Sequence, residues 1–273
     1  MKKTNLAGGI LLLALLAPTN AQVPGMFNPL QGTLPCPAAP TTSLWGQWYV
    51  DGGAYTETVG TPTTLITTNG TSIGSLRDQS GNSRHAYQPV GGLKPVYTTG
   101  QINNLAAAVF TAASLQFLQV GSIPSLPVTI YVVANRTSSA APRPYIAAEQ
   151  GNPLIFVGTL SNNTNVAVYN AGAGASQNNS NSVWNVVAAT VGSGAPSATT
   201  LRSNNTITAS ANATGGAIGS TVLQFGANVG NSYYFAGSEA EILIYSATHT
   251  FTSGDGLLVE QYLSCKYGLN LGY

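Results

Sequence analysis

The sequence predicts an all-β fold, a two-sheet sandwich closed by one short helix. Three observations carry that expectation. Short runs of alternating or β-branched residues recur along the chain, clusters of Gly, Asn, Ser and Thr separate them, and helical spacing with end signals occurs only after Thr252. Of the 273 residues, 44% are hydrophobic but only 6% charged, so a core can form while Ser, Thr, Asn, Gln and Gly must supply the polar surface. A formal net charge of +1 gives no electrostatic basis for a nucleic-acid or acidic-polymer partner.

Taken in order, the chain begins with Lys2 and Lys3, an apolar run from Ile10 to Ala17 and the sequence Thr19-Asn20-Ala21. That pattern assigns residues 1–21 to a secretory signal, whose apolar run is too short to span a bilayer, and implies a secreted chain with no stable membrane span. Residues 22–42, with Pro24, Pro29, Pro35, Pro37 and Pro40, read as an irregular Pro-rich arm. Residues 43–273 form the sandwich.

Strands are expected at 43–50, 95–99, 106–110, 115–120, 129–134, 154–157, 165–169, 182–191, 199–202, 222–226 and 239–245, with those around Tyr131 and Trp184 central. Residues Ala171–Ser182, AGAGASQNNSNS, read as a loop. Strict alternation in the last strand would put Glu239, Glu241, Leu243 and Tyr245 on one face. Thr252 with Asp255 has the spacing of a capping box, Leu258, Tyr262 and Cys265 recur at helical spacing, and Gly268 suits a left-handed cap.

Leu76–Gln88 (LRDQSGNSRHAYQ), Pro95-Val96-Tyr97, Ala108-Val109-Phe110, the strand around Thr129–Ala134, the strand Gly237–Tyr245 and the ending Glu260–Leu269 follow one another in an order that resembles the concanavalin A-like lectin/glucanase superfamily, its laminin-G-like members above all. The resemblance spans about Trp45 to Leu269. Gly237, Glu241, Ile242, Ile244 and Tyr245 match a late Gly-x-Ile-Asp-Glu-Val-x-Ile-Tyr pattern, from which Glu239 and Ala240 depart. The resemblance implies a concanavalin A-like jelly-roll sandwich of two antiparallel sheets with a short C-terminal helix. It further implies glycan binding, calcium in some members, hydrolysis or cleavage of polysaccharides in some branches, and a secreted, cell-surface or virion setting.

Four groups of residues are candidates for chemistry. Glu239 and Glu241 would lie roughly 6.5–7 Å apart on one face, a spacing that suits a glycosidase pair, although the third acid of the glucanase strand is missing. Asp78 and Asn82, with Ser80, offer oxygens to calcium or, alternatively, bond their own turn. Trp45, Trp48, Tyr49, Tyr55, Tyr87, Tyr233 and Tyr234 are the aromatic candidates for stacking on sugar, the Tyr233-Tyr234 pair foremost, each weighed against a place in the core. Cys36 and Cys265 either form a disulfide between arm and helix or sit as small apolar residues. Gly70-Thr71-Ser72-Ile73-Gly74 has the letters of a hydrolase nucleophile elbow without the helix that must follow it.

The leading expectation is a non-catalytic extracellular carbohydrate-binding domain whose partner is a glycan or polysaccharide. A structural or adhesion module contacting other virion or surface proteins comes second, and a polysaccharide hydrolase or lyase using Glu239 and Glu241 third.

Overall fold

In a computed structural model, the chain is described over residues 35–272, apart from 138–142, 149–154, 160–164, 171–172, 179–181, 194–196, 204–205, 214–221 and 231–232. The signal assigned to residues 1–21 and most of the arm therefore lie outside the described residues. The strands are β1 (Leu44–Tyr49), β2 (Ala54–Tyr55), β3 (Ser75–Leu76), β4 (Ala86–Tyr87), β5 (Val96–Ile102), β6 (Leu105–Phe110), β7 (Leu118–Val120), β8 (Val128–Arg136) and β9 (Arg143–Ala148). They continue with β10 (Ile155–Thr159), β11 (Asn165–Asn170), β12 (Ala173–Asn178), β13 (Trp184–Val191), β14 (Ser197–Ser203), β15 (Thr206–Ala213), β16 (Leu223–Phe225) and β17 (Gly237–Tyr245). Helix α1 (Gly254–Tyr267) follows.

Two antiparallel sheets face each other. One runs β15-β14-β13-β8-β17-β6-β5, with β1 added beside β17, and the other runs β12-β11-β10-β9-β16-β7-β4-β3-β2. Between them lies the main core, with Trp48, Ile130, Val132, Val187, Leu201, Ile242 and Ile244 from the first sheet against Leu118, Val120, Ile146, Val157, Val168, Leu223 and Phe225 from the second. Burying such a side chain stabilises the fold by about 1.5–3 kcal/mol. A second core lies on the far face of the first sheet, where Tyr131, Val133, Leu243 and Tyr245 meet Val259, Tyr262, Leu263 and Tyr267 of α1. The described residues are thus layered as helix, sheet, sheet, and among them no helix covers the outer face of the second sheet.

The chain enters the first layer through a covalent tie. Cys36 is bonded to Cys265 on α1, and Pro40 accepts a hydrogen bond from the Tyr245 hydroxyl at 3.0 Å. At the other end of α1 the cap differs from expectation. Ser253, not Thr252, is the N-cap residue and its side chain makes no capping bond, whereas Gly268 closes the helix at φ 63° with its N–H donating to Ser264. The exposed positions Leu258 and Cys265 lie off the buried face, which is built from Val259, Tyr262, Leu263 and Tyr267.

Residues Ala171–Ser182 are not simply a loop, because β12 forms within them. Small residues with weak strand preference are held there by a complete antiparallel register with β11. Gln177 fastens this edge to the other sheet, donating to the Ser203 carbonyl and accepting from Thr208 Oγ1. Trp184 is only half-buried, packs on the helix side and donates its indole N–H to Gln101 at 3.0 Å.

Candidate functional site

Glu239 and Glu241 do not share a face. The β8–β17 ladder slips between them, since Glu239 pairs with Ala134 but Glu241 with Val133. The extra residue, Ala240, inverts the alternation, so Glu239 joins the inner side with Ala134 and Ala108 while Glu241 faces α1. At the same place β17 exchanges one neighbour for another, pairing β6 through Glu239 and β1 from Glu241 onward. Glu241 accepts from Gln47 Nε2 (2.7 Å), Tyr262 (2.8 Å), Tyr267 (2.8 Å) and Lys266 Nζ (2.7 Å). Lys266 is also caged by aromatic rings, with Nζ 4.0 Å from the Tyr49 centroid. Glu239 is buried near Tyr145 with Oε1 unpartnered, and burial raises its carboxyl well above the ordinary range. Two carboxylates on opposite faces of a sheet cannot flank one glycosidic bond, which removes the paired-acid geometry.

The Asp78 turn is a self-contained hub. Asp78 Oδ1 accepts from the Gln47 and Ser80 N–H groups, and Oδ2 from that of Arg84, while Asn82 Nδ2 donates to Leu44, Trp45 and Ser80. A carboxylate so occupied does not fit calcium, which needs about six to eight oxygens, and the described residues contain no acidic or histidine cluster around it.

The aromatic candidates separate by environment. Trp48 is fully buried between the sheets and donates its indole N–H to Arg84, so it cannot stack on a ligand. Tyr233 and Tyr234 sit on a hairpin after β16, closed by Asn228 N–H to Tyr233 and by Tyr233 N–H to Asn228 Oδ1; Tyr233 is 43% exposed and Tyr234 half-buried. Tyr87 is half-buried on the outer face of the second sheet and donates its hydroxyl to the Gly60 carbonyl.

Around Tyr87 the register assembles a row that sequence reading missed. Tyr55 pairs with Ser75, Ser75 with Tyr87, Tyr87 with Gln119, and Gln119 with Gln224. Their neighbours Ala54, Leu76, Ala86, Leu118 and Leu223 belong to the inner core, so these five residues share the outer face. At strand spacings of about 4.8 Å the row runs roughly 19 Å across five strands. Tyr87 and Gln119 are half-exposed, whereas Tyr55, Ser75 and Gln224 form a buried floor. Gln224 donates Nε2–H to Gln119 Oε1 at 3.3 Å, and its own Oε1 and Ser75 Oγ find no partner among the described residues. The Tyr233-Tyr234 hairpin prolongs β16, so Asn228 lies within about 13 Å of Gln224 along the strand. Sequence alone singles out Tyr55 and Tyr87; the trace of the rest is the central Gln in Leu118-Gln119-Val120 and Leu223-Gln224-Phe225, where an amide stands between core residues.

On the opposite side of the sandwich, Thr42, Ser43, Ala247–Thr250 and Ser253–Gly256 line a cavity of about 330 Å³. Its His249 is already engaged, with Nδ1 3.0 Å from the Tyr131 hydroxyl and the ring 4.4 Å from that of Tyr245.

Comparison with known proteins finds similarity in fold only. Domain 4 of AbnA, a GH43 extracellular arabinanase from Geobacillus stearothermophilus solved with arabinotriose, superposes with a TM-score of 0.53 at 14% identity, over 81% of this chain and 98% of that one. A variant of a GH54 α-L-arabinofuranosidase soaked with 4-nitrophenyl α-L-arabinofuranoside gives a TM-score of 0.55 at 16% identity, over 85% of this chain but 63% of that one. The sequence matches no protein-family model and none of the curated proteins.

Proposed function

We propose that this chain is a non-catalytic, extracellular carbohydrate-binding domain of the concanavalin A-like, laminin-G-like kind, and that it takes an extended, largely neutral glycan across the outer face of the second sheet. One observation carries the reading: an uncharged row of phenols, amides and a hydroxyl whose half-exposed members, Tyr87 and Gln119, stand side by side over the buried floor of Tyr55, Ser75 and Gln224. Gln119 offers a side-chain amide to sugar hydroxyls, and Gln224 behind it fixes that amide by donating to its oxygen. The half-exposed Tyr87 supplies an apolar ring face beside this amide, and Tyr233 a second aromatic beyond the end of β16. The solved arabinanase domain, with arabinotriose bound, shares this sandwich, which agrees with the reading at the level of fold.

Catalysis through Glu239 and Glu241 has no geometric support, because one is enclosed between the sheets and the other is spent on docking α1. The test is a polysaccharide and glycan array with the full chain and its Tyr87→Ala variant. Saturable binding that falls about tenfold in the variant, with no release of sugar, is expected. No binding across the array, or binding that Tyr87→Ala leaves unchanged, contradicts it.

A further inference from the structure

We infer that the glycan carries a carboxylated sugar, held by Arg77 and His85 at one border of the neutral row. The inference rests on the carbohydrate-binding reading above and names the chemistry that distinguishes the ligand. In the β3–β4 ladder Ser75 faces Tyr87 and Leu76 faces Ala86, so the next step sets Arg77 against His85 on the outer face. The Arg77 N–H donates to the Gly53 carbonyl, which fixes that step of the chain against β2.

Arg77 is exposed, and its guanidinium has no hydrogen bond or ion pair among the described residues. Most other basic side chains among the described residues are occupied. Arg84 is spent on the Trp45 carbonyl and ring, Arg202 on Glu260 and Lys266 on Glu241. His85 adds a donor of defined direction. Its Nδ1 accepts the Asp78 N–H at 3.0 Å and so carries no proton, which leaves Nε2–H as the free donor. Burial lowers its proton affinity, against the pull of Asp78 and with a smaller push from the Arg77 charge. The ring stands edge-on to Tyr87 at 6.0 Å. A planar five-donor fork, one imidazole N–H and an adjacent aromatic face together match a carboxylate on a sugar ring.

Neither nearby acid pairs with Arg77. Asp78 is buried with both oxygens held by backbone N–H groups, so its charge tempers the border but offers the guanidinium no acceptor. Glu57 lies beyond the other border, its carboxylate held by Thr63 and Thr64. Four residues of strand separate its level from that of Arg77, about 13 Å and more than a Debye length of about 8 Å at physiological salt. The two borders therefore give the row a polarity, and the acidic sugar belongs at the Arg77 end. A chain of net charge +1 cannot hold a polyanion, but one guanidinium can select one acidic unit.

The experiment is an array of neutral oligosaccharides, each printed beside counterparts bearing one terminal uronic acid, one sialic acid or one sulfate, probed with the full chain at low and high salt. Carboxylated members should bind roughly fivefold better than their neutral partners at low salt, and the advantage should shrink at high salt. Arg77→Gln should reduce them to the neutral level without abolishing binding. Equal binding of neutral and carboxylated members, preference for sulfate, or an Arg77→Gln protein that keeps the preference overturns the carboxylate inference and leaves glycan binding standing. Absence of binding to every glycan overturns both.

Discussion

Glu239 and Glu241 show how far two identical residues can diverge within three positions of one strand. Glu241 gathers four donors from Gln47, Tyr262, Tyr267 and Lys266, so replacing it by Ala leaves an ammonium and two phenols facing a void. Loss of one partner of a buried pair costs about 3–5 kcal/mol, and Glu241→Ala should lower the denaturant midpoint accordingly. Glu239 and Glu260 carry the pH dependence. Burial raises Glu239 well above its usual range, and raises Glu260 to about 7 against the opposing pull of Arg202. Each raised carboxyl contributes stability that is present below the unfolded value of 4.5 and lost as pH climbs through the folded value, for Glu260 between about 4.5 and 7. The histidines act in the opposite sense, since burial lowers His85 and His249 and their contribution is lost as pH falls below 6.5. A variant comparison separates the two. Glu239→Gln cannot ionise, so its melting temperature should gain on the native chain as pH rises from 4.5 to 8; a constant difference across that range contradicts the assignment. The pair of acids was visible in the sequence, but their faces were not, because one inserted residue at Ala240 reverses the parity on which any alternation argument depends.

Among the elements, strands that carry their own signal were legible. The runs read at 129–134, 182–191 and 239–245 correspond to β8, β13 and β17, each lengthened or trimmed by a few residues. β12 was missed because Ala, Gly, Ser and Asn contribute little strand preference, and β15 was missed although it opens with Thr206-Ile207-Thr208; their pairing partners are β11 and β14. Helix α1 was read correctly at its glycine end and wrongly at its start, where no side chain caps the first turn. Its hold on the sheet comes from the second core and the Glu241 cluster, supplemented by the bond from Cys265 to Cys36. That bond closes a loop of 229 residues, and both half-cystines are exposed to reductant. Cys36→Ser with Cys265→Ser should cost roughly 2–4 kcal/mol while leaving the far-ultraviolet spectrum of the sandwich unchanged. A variant as stable as the native chain would mean that the arm is held by its noncovalent contacts alone.

For the whole molecule, the layered order decides which face is open to the proposed ligand. Helix α1 covers one side of the first sheet and the second sheet covers the other, which leaves the outer side of the second sheet for a ligand. The fold class followed from strand density, turn chemistry and the closing helix, whereas the site did not, because Tyr55, Ser75, Tyr87, Gln119 and Gln224 are spread over 170 residues and only the register collects them. Of the aromatics singled out from sequence, Tyr55 and Tyr87 belong to that row; Trp45 and Trp48 are core, Tyr49 lies under Lys266, and Tyr233 and Tyr234 stand on the hairpin beyond it. The central claim is that sugar meets protein at the half-exposed Tyr87 and Gln119. It is tested most directly by following the side-chain amide resonances of Gln119 and Gln224 while an array-positive glycan is titrated into the full chain. Saturable shifts of both amides, lost in Tyr87→Ala, are the predicted result; shifts confined to the His249 cavity, with Gln119 and Gln224 unmoved, would contradict it.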